Sequence, residues 1–454
     1  MTFILALWTL VCTALLIRSY SDIVSLVRNI WWLSEYAKRI HNTSRPSTRF
    51  VVCIPALYEQ KIITATLDKM LAIHYPKDLV DIYVVTTSRE EKHGQELTTN
   101  ELLQEYRKTL PEGDRQRLYI IDLPNKKGRM AHQINYAAKL ASSTLQDDSA
   151  YFVIYNADSD INPETFQVAH DTIENIRHAK TQPPLLLQQS AIYTHSTTSS
   201  WIESSITKGA AMHQSRWTLV HELTRLRNQS RHINMLNGTS VINSIRHARV
   251  AHCVGHGLFV QGRHYLENPL PIDTLNEDLP YGLIQSVKRH SIYPIPILEL
   301  ASSPSRIINL YKQKTVWFNP FFEFYGCAKK ILANGTYSNK FEVYFLTMQA
   351  WISMAIWLIH SFMWAAGLAL SIALGWRYIL IWLLIFALYW IIPGLLYHMY
   401  TRRAGLYSCL SLSSLLLGSL YVLTHSTGPI ICCYKWAKAS ITGMQIDKPK
   451  TISD

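Results

Sequence analysis

The stretch YFVIYNADSDINPETF, residues 151–166, passes from apolar strand-forming residues into three acids and a proline. The run YFVIY predicts a buried strand, because short apolar runs rich in aromatic and β-branched residues favour strands. Pro163 suits the first turn of a helix, so we predict a helix directly after it. Asp158 and Asp160 lie between these two elements, and they are either turn residues or ligands of a metal ion.

The preceding sequence repeats this alternation of strand and helix. Short apolar runs predict strands at 49–56, 80–87 and 117–123, and helical spacing follows at 64–73 and 128–141. Such an alternation predicts an α/β domain with a mostly parallel sheet that is covered on both faces. Ligands of these sheets bind beyond the carboxyl ends of the strands. The segments 55–59, 86–90 and 156–160 fall there, and their position alone predicts a nucleotide site.

Hydrophobic segments flank this domain. The chain has 454 residues, of which 48% are hydrophobic, and a net charge of +12. No formal side-chain charge occurs at 1–17, 343–376, 378–401 or 404–434, and a membrane span needs about 20 apolar residues. We therefore predict an N-terminal anchor with an interfacial segment at 1–35, a domain at 48–325, membrane helices at 343–435 and a basic tail at 436–454.

The distribution of lysine and arginine predicts the orientation. Both are dense in the domain and in YTRRAG (400–405), so we expect these parts to be cytoplasmic in a multi-pass protein of the inner membrane. The basic tail requires an even number of spans after the domain, yet three apolar runs follow it. A break within HSTGP (425–429) can split the last run, and the number of spans stays open. The segment 199–228 predicts one long helix, either solvated or interfacial.

The remaining composition argues against two other classes. The seven cysteines have no metal-ligand spacing, which indicates reduced thiols. Beside membrane segments, a basic chain is better explained by attraction to anionic lipid or to a phosphorylated substrate than by nucleic acid. We therefore expect no nucleic-acid partner.

Four polar motifs occur in order: PALYEQ (55–60), NADSD (156–160), TLNEDLPYG (274–282) and QKTVW (313–317). Together with flanking spans they resemble the membrane-embedded family 2 glycosyltransferases, which include the cellulose, chitin and hyaluronan synthases. The resemblance implies a GT-A-like domain, a nucleotide-sugar donor and a divalent cation, Mg2+ or Mn2+. It covers roughly residues 48–320 and the flanking spans.

The resemblance also implies roles for individual residues. Asp158 falls on the second acid of the family's metal-binding triplet and Asn156 on the first, whereas Asp160 is displaced by two and is either a second ligand or a turn residue. Glu277 and Asp278 match the pair that supplies the general base, and Gln313 and Trp317 match the acceptor motif. The expected donor-binding residues are Pro55, Ala56, Glu59, Lys127, Arg129, Asn156 and Asp158.

Three further segments bear on these roles. Val316 stands where the family has arginine, so Lys312, Lys314 or Arg306 is expected to replace its charge. The strand at 80–87 is followed by Glu90 rather than by the family's base-reading aspartate. In HCVGHGLFVQGRHY (252–265), Gly255 and Gly257 allow a close backbone approach, and His256 and Gly257 are candidate acceptor-binding residues.

The chemistry explains these residue types. A nucleoside diphosphate leaving group accumulates negative charge, which a cation held by carboxylates neutralises. The acceptor hydroxyl must lose a proton to a nearby carboxylate, and a single displacement inverts the anomeric carbon. We expect an inverting, metal-dependent hexosyltransferase that moves a sugar from a nucleotide sugar, with uridine diphosphate as the expected leaving group, to a polysaccharide or glycan. The alternatives are single-sugar transfer to a lipid-linked acceptor and a weakened sugar-nucleotide-binding scaffold.

Overall fold

The structure is a computed structural model that describes residues 2–39, 45–91, 96–124, 128–180, 182–195, 200–236, 238–406 and 411–443. Seven strands form one sheet: β1 (Arg49–Pro55), β2 (Val80–Thr87), β3 (Leu118–Leu123), β4 (Ala150–Ile154), β5 (Leu186–His195), β6 (Leu258–Gln261) and β7 (Ile292–Ser303). Their order is β3-β2-β1-β4-β6-β5-β7. Only β6 runs antiparallel to its neighbours, which confirms the predicted α/β class with a mostly parallel sheet.

Helices surround the sheet and continue beyond it. They are α1 (Thr2–Arg39), α2 (Ile63–Leu71), α3 (Thr99–Thr109), α4 (Glu112–Gln116), α5 (Met130–Leu140), α6 (Ser142–Leu145), α7 (Thr165–Lys180), α8 (Trp201–Trp217), α9 (Leu223–His232), α10 (Val241–His247), α11 (Gly262–Glu267), α12 (Asp278–Val287), α13 (Ile307–Phe318), α14 (Pro320–Asn334), α15 (Lys340–Leu374), α16 (Trp376–Phe386), α17 (Ile392–Arg403), α18 (Leu412–Leu416), α19 (Leu420–Thr424) and α20 (Thr427–Thr442). A π-helical turn at Thr218–Glu222 joins α8 to α9, so the helix predicted over 199–228 is one run with a local widening.

The sheet is buried on both faces because side chains alternate along each strand. Phe50, Val52 and Ile54 of β1 belong to the core beneath α2 and α7. Val51 and Cys53 belong to the opposite core, beneath α5. Both sets of side chains leave water, which explains why β1 is a continuous apolar run rather than an alternating one.

Four helical segments in the described chain are long and apolar enough to cross a membrane: Thr2–Tyr36, Lys340–Leu374, Trp376–Arg403 and Leu412–Thr442. α1 and α15 lie side by side, with Trp8 Nε1 donating a hydrogen bond to Ser371 Oγ at 2.7 Å. Leu15 contacts the position of Gly367, so the two helices run in opposite directions. α15 begins against the domain, where Arg289 and Glu342 form a salt bridge of 2.8 Å.

The last apolar segment contacts the domain near its beginning and near its end. A Cβ atom on Gly209 of α8 would lie 2.5 Å from the Gly418 backbone, so only glycine lets these two backbones approach so closely. Further along, Trp436 Nε1 donates to Asn319 Oδ1 at 3.1 Å, between α13 and α14. The chain breaks between α19 and α20 within HSTGP, and Gly428 then packs against Lys314. This segment therefore returns to the domain rather than leading away from it.

Candidate functional site

One cavity of about 820 Å3 begins at the carboxyl ends of β1, β2 and β4 and extends between the long helices. Pro55, Thr87 and Asn156 form its wall at the sheet, and residues of α1 and α15 form its far wall. Ten of the residues predicted from sequence line it: Pro55, Glu59, Arg129, Asn156, Asp158, His256, Glu277, Asp278, Gln313 and Trp317. The fold thus brings together residues from all four motifs.

The loop after β1 places Glu59 against the cavity. Tyr58 has a left-handed backbone with a φ angle of 56°, which is uncommon for a residue with a side chain. Glu90 holds this loop, because its carboxylate accepts hydrogen bonds from the Tyr58 amide at 3.3 Å and from Gln60 Nε2 at 2.6 Å. Glu90, the nearest acid to the end of β2, is therefore engaged in supporting the loop and does not line the cavity.

The ends of β1 and β2 are tied together by Gln133 of α5. Its Nε2 donates to the carbonyl oxygens of Ala56 at 3.0 Å and of Val85 at 2.6 Å. Pro55 lines the cavity, whereas Ala56 is buried between the strands and does not. Ala56, predicted to bind the donor, thus acts in this structure as a backbone link between β1 and α5.

The segment after β4 turns two of its polar residues, Asn156 and Asp158, toward the cavity. Burial raises the pKa of Asp158, and the nearby Glu299 carboxylate raises it further. Asp160 lies outside the cavity, where its Oδ2 is 2.7 Å from Lys69 Nζ in a partly exposed ion pair. Of the two residues predicted as metal ligands, Asp158 alone faces the cavity.

The described residues include no group of three or more His, Cys, Asp or Glu side chains placed to hold a metal ion. Mg2+ in nucleotide sites is commonly bound by one or two carboxylates together with phosphate oxygens and waters. A carboxylate whose pKa is raised by its surroundings, such as Asp158, is stabilised in its charged form by a nearby cation. The residues present thus fit a cation that arrives with a diphosphate rather than one held by the protein alone.

The acid pair lies at the beginning of α12. Asp278 Oδ2 accepts a hydrogen bond from the Gly255 amide at 2.9 Å, and its Oδ1 accepts one from the Leu279 amide at 2.8 Å. The amides of a helix N-terminus stabilise a negatively charged side chain. Glu277 is buried beside it, and both side chains line the cavity. Asp278 is therefore a fixed hydrogen-bond acceptor at the cavity wall.

Arg129 connects the N-terminus of α5 to the loop that precedes the acid pair. It lies at the N-terminus of α5, and its guanidinium donates to Thr274 O at 3.3 Å. Arg89, which follows β2, also lines the cavity. Lys127 lies outside the described residues.

His256 lines the cavity, and its Nδ1 is 3.0 Å from Glu299 Oε2. Burial alone would lower the pKa of His256, but the carboxylates of Glu299, Glu222 and Asp158 together outweigh burial and raise it to about 9. Gly257 packs against β5. Its φ angle is +61°, and a Cβ atom at this position would lie 2.8 Å from Gln189 Cβ. Gly257 is therefore required by its contact with β5, and it does not line the cavity.

Gln313 and Trp317 are one helical turn apart on α13, and both face the cavity with Val316. Lys314 is buried, where it bonds Gln214 and lies 4.0 Å from the centre of the Trp317 ring. Burial lowers its pKa well below the ordinary lysine value. None of the basic residues expected to replace the missing arginine lines the cavity; they are Lys312, Lys314 and Arg306.

Sequence reasoning missed most of the positive charge in this cavity. Five arginines of the described chain line it, namely Arg18, Arg89, Arg129, Arg216 and Arg225, and only Arg129 was predicted. Arg18 directly follows the charge-free segment 1–17, which could have marked it as unusual. Arg216 and Arg225 flank the π-helical turn, and nothing in their local sequence distinguishes them from ordinary basic residues of a helix surface.

No protein-family model and no curated protein sequence matches the chain. Among solved structures it is similar to the mannosyltransferase PcManGT from Pyrobaculum calidifontis in complex with GDP-Man and Mn2+, with 14% identity, a TM-score of 0.45, and coverage of 96% of this chain and 100% of that chain. It is also similar to S. aureus TarS 1-349 in complex with UDP-GlcNAc, with 14% identity, a TM-score of 0.40, and coverage of 84% and 92%. These likenesses are too distant to carry a function to this chain.

Proposed function

We propose that this chain is a membrane-attached, inverting glycosyltransferase that uses a nucleotide-sugar donor. The observation that carries the proposal is the meeting of Asp158, Arg129 and the Glu277–Asp278 pair around one cavity at the carboxyl ends of parallel strands. These residues are far apart in sequence, and each has a separate task in glycosyl transfer. The resemblance to family 2 synthases motivates the same assignment and stays a hypothesis.

The donor would lie at the strand ends. Asp158 would hold a divalent cation on the donor diphosphate, and that cation would neutralise the charge that develops on the leaving group. Arg129, at the N-terminus of α5, adds a fixed positive charge close to the same strand ends. Asn156 and Glu59 contribute neutral and acidic acceptors for the nucleoside and sugar hydroxyls.

Asp278 would act as the general base. Its carboxylate is fixed at the cavity wall by the Gly255 and Leu279 amides, within a cavity that could admit an acceptor hydroxyl. The acceptor oxygen attacks the anomeric carbon as the bond to the diphosphate breaks, and Asp278 receives the hydroxyl proton. One displacement needs no protein nucleophile and inverts the configuration. Trp317 offers an aromatic face for the acceptor sugar.

A donor screen tests this function. Detergent-purified protein with Mn2+ or Mg2+ would be incubated with UDP-GlcNAc, UDP-glucose and GDP-mannose, and release of the nucleoside diphosphate would be measured. We expect release from one donor, its loss on chelation, and its loss in Asp158→Asn. Product length then separates polymer synthesis from transfer of a single sugar. Binding of a donor without any release, with every acceptor class tried, would favour the scaffold alternative.

A further inference from the structure

The cavity continues past the predicted donor and acceptor residues into a second compartment. We call this compartment the inner chamber and define it by Arg18 and Asp22 of α1, Arg216 of α8, Arg225 of α9 and Ser353 of α15. None of these residues belongs to the four motifs. Its walls are helices rather than strand ends, and it is part of the same cavity as the predicted nucleotide site.

The arginines of the inner chamber form no direct ion pair with a carboxylate of the described residues. None of the three has a carboxylate oxygen within 4.0 Å among the described residues. Arg18 has a buried Nε atom without a hydrogen-bond partner. Arg225 donates to Ser353 Oγ at 2.6 Å and Arg216 to a backbone carbonyl, so their partners are neutral. A guanidinium has five N–H donors, so one hydrogen bond to a neutral partner does not use its full donor capacity.

Two acids, Asp22 and Glu222, act on the arginines through space but form no direct ion pair with them. Asp22 Oδ1 is 3.6 Å from His221 Nε2, and Glu222 accepts a hydrogen bond from Ser190 at 2.6 Å. Burial raises the pKa of Glu222 and lowers that of Arg225 to about 10, so at neutral pH the arginine stays charged. Because buried charges are costly unless they are paired, a chamber with three arginines and two acids favours an anionic ligand.

The position of the chamber indicates where that ligand comes from. Arg18 directly follows the charge-free segment 1–17 and lies within a candidate membrane span, where ionisable residues usually mark a functional site. The cavity wall also includes Ile17 and Ile356, which are 63% and 39% exposed on α1 and α15. Both residues lie near the middle of the candidate spans Thr2–Tyr36 and Lys340–Leu374, so the chamber reaches the apolar surface of these helices.

From these observations we infer that the inner chamber binds the phosphate or diphosphate of a lipid-linked sugar acceptor, with Arg18, Arg216 and Arg225 as its ligands. The inference rests on the proposed function and names its acceptor class. The lipid chain would leave between α1 and α15, and the sugar would extend toward Asp278. No bond to the phosphate is made or broken, so the proton-transfer role of Asp278 is unchanged.

The test measures binding rather than turnover. The full chain in a non-ionic detergent would be titrated with hexadecyl phosphate, hexadecanol, inorganic phosphate and UDP with Mn2+. Binding would be measured by native mass spectrometry. We expect hexadecyl phosphate to bind about tenfold or more tightly than hexadecanol or inorganic phosphate, the scale of a charge-assisted contact. Equal binding of the alcohol and the phosphate would overturn the inference, and tight binding of inorganic phosphate alone would indicate a free-anion site instead.

Variants separate the chamber from the donor site. Arg18→Gln and Arg225→Gln should weaken hexadecyl phosphate binding by about tenfold or more, and Arg18→Lys, which keeps the charge, should restore most of it. Arg28→Gln, on the exposed face of α1, is the matched control and should have no effect. UDP binding should be unchanged in the arginine variants and lost in Asp158→Asn.

Three outcomes of these variants are decisive. Loss of UDP binding in the Arg18 and Arg225 variants, with lipid phosphate binding retained, would assign the chamber to the donor diphosphate and overturn the inference. Loss of lipid phosphate binding in the control variant Arg28→Gln would also overturn the inference, because it would show that binding is not specific to the chamber. Binding of lipid phosphate by a chain that releases no nucleotide would instead count against the proposed function and leave the anion site standing.

Discussion

The Gly255 amide donates a hydrogen bond to Asp278 Oδ2 at 2.9 Å, and a Cβ atom on Gly255 would lie 3.4 Å from the same oxygen. This contact joins the loop before β6 to the first residue of α12. Together with the Leu279 amide on Oδ1, it holds the carboxylate in a fixed orientation at the cavity wall. A positioned carboxylate of this kind suits the general-base role proposed above.

Asp278→Asn should lower the rate of transfer by about 100-fold or more, because the amide keeps the shape of the side chain but cannot accept the proton. Donor affinity should change little, since the donor is expected at the strand ends near Asp158. Glu277→Gln is the neighbouring control, and its loss should be smaller. Turnover and nucleotide affinity would be measured for both variants. Near-normal turnover of Asp278→Asn would show that Asp278 is not the general base and that it only caps the helix.

Asp158→Ala should abolish metal-dependent transfer, whereas Asp160→Ala should keep most of it. Asp158 faces the cavity, while Asp160 pairs with Lys69 at a partly exposed position. Such surface pairs contribute about 0–1 kcal/mol to stability, so the control variant should also fold normally. The measurements are transfer rate against Mn2+ concentration and the midpoint of thermal unfolding. An equal loss of activity in both variants would contradict the assignment of Asp158 as the ligand.

The His256–Glu299 pair should make stability depend on pH in the alkaline range. The pKa of His256 is raised from 6.5 to about 9, so its contribution to the free energy of unfolding is complete below about pH 6.5 and is lost as pH rises through 9. The pair is almost wholly buried, with side chains 11% and 1% exposed.

We therefore expect the midpoint of thermal unfolding to fall between pH 7 and pH 10, and this fall to be much smaller in His256→Gln, which cannot titrate. His74→Gln, at an exposed histidine paired with Glu164, is the control and should retain the slope. A wild-type protein with equal midpoints at pH 7 and pH 10 would show that His256 is not charged in the folded state.

The carboxyl end of α20 should lie on the same side of the membrane as the domain. Gly418 packs against α8, and Trp436 bonds Asn319, so the last apolar segment contacts the domain near its beginning and near its end. A reporter after Gly443 and one after Arg403 should both give a cytoplasmic signal. An insertion near Lys92, a position outside the described residues, should do the same. Opposite signals from the Gly443 and Arg403 fusions would mean that residues 412–442 cross the membrane.

Gly209→Ala should destabilise the protein, although alanine favours helices over glycine by about 1 kcal/mol. Its Cβ atom would lie 2.5 Å from the Gly418 backbone, and a backbone atom cannot swing away as a flexible side chain can. Gly326→Ala in α14, where no atom lies within 4 Å of the new Cβ, is the control and should be neutral or stabilising. The midpoints of thermal unfolding of the two variants decide the point, and equal midpoints would show that α8 and the 417–419 turn do not pack closely.

Several elements follow from local sequence because their cause is local. The run at 80–87 forms β2 with the predicted bounds, and the helical spacing at 128–141 forms α5. A short apolar run is buried most readily as a strand inside a sheet that is covered on both faces. In a parallel sheet the carboxyl ends of all strands lie at the same edge. Position alone thus predicted where Pro55, Asn156 and Asp158 would meet.

The candidate site was predicted less completely, because exposure and partners depend on distant segments. The family motif favoured Asp158 and left the role of Asp160 open, and the structure pairs Asp160 with Lys69 of α2 outside the cavity. Gly257 lies in a glycine-containing loop that suggested sugar binding, but its close neighbour is Gln189 of β5. Neither Lys69 nor Gln189 lies near these motifs in sequence, so the motifs alone could not identify these contacts.

The sequence by itself determined the alternation of the first four strands with helices, the apolar segments and the positions of the acids, since each depends on hydrophobic period and residue type over a few neighbours. Only the tertiary structure decided which charges share a cavity. Arg18, Arg216 and Arg225 come from α1, α8 and α9, and they surround one chamber because those helices pack against α15 and the sheet. Electrostatic interactions depend on distance through space, and only folding sets those distances.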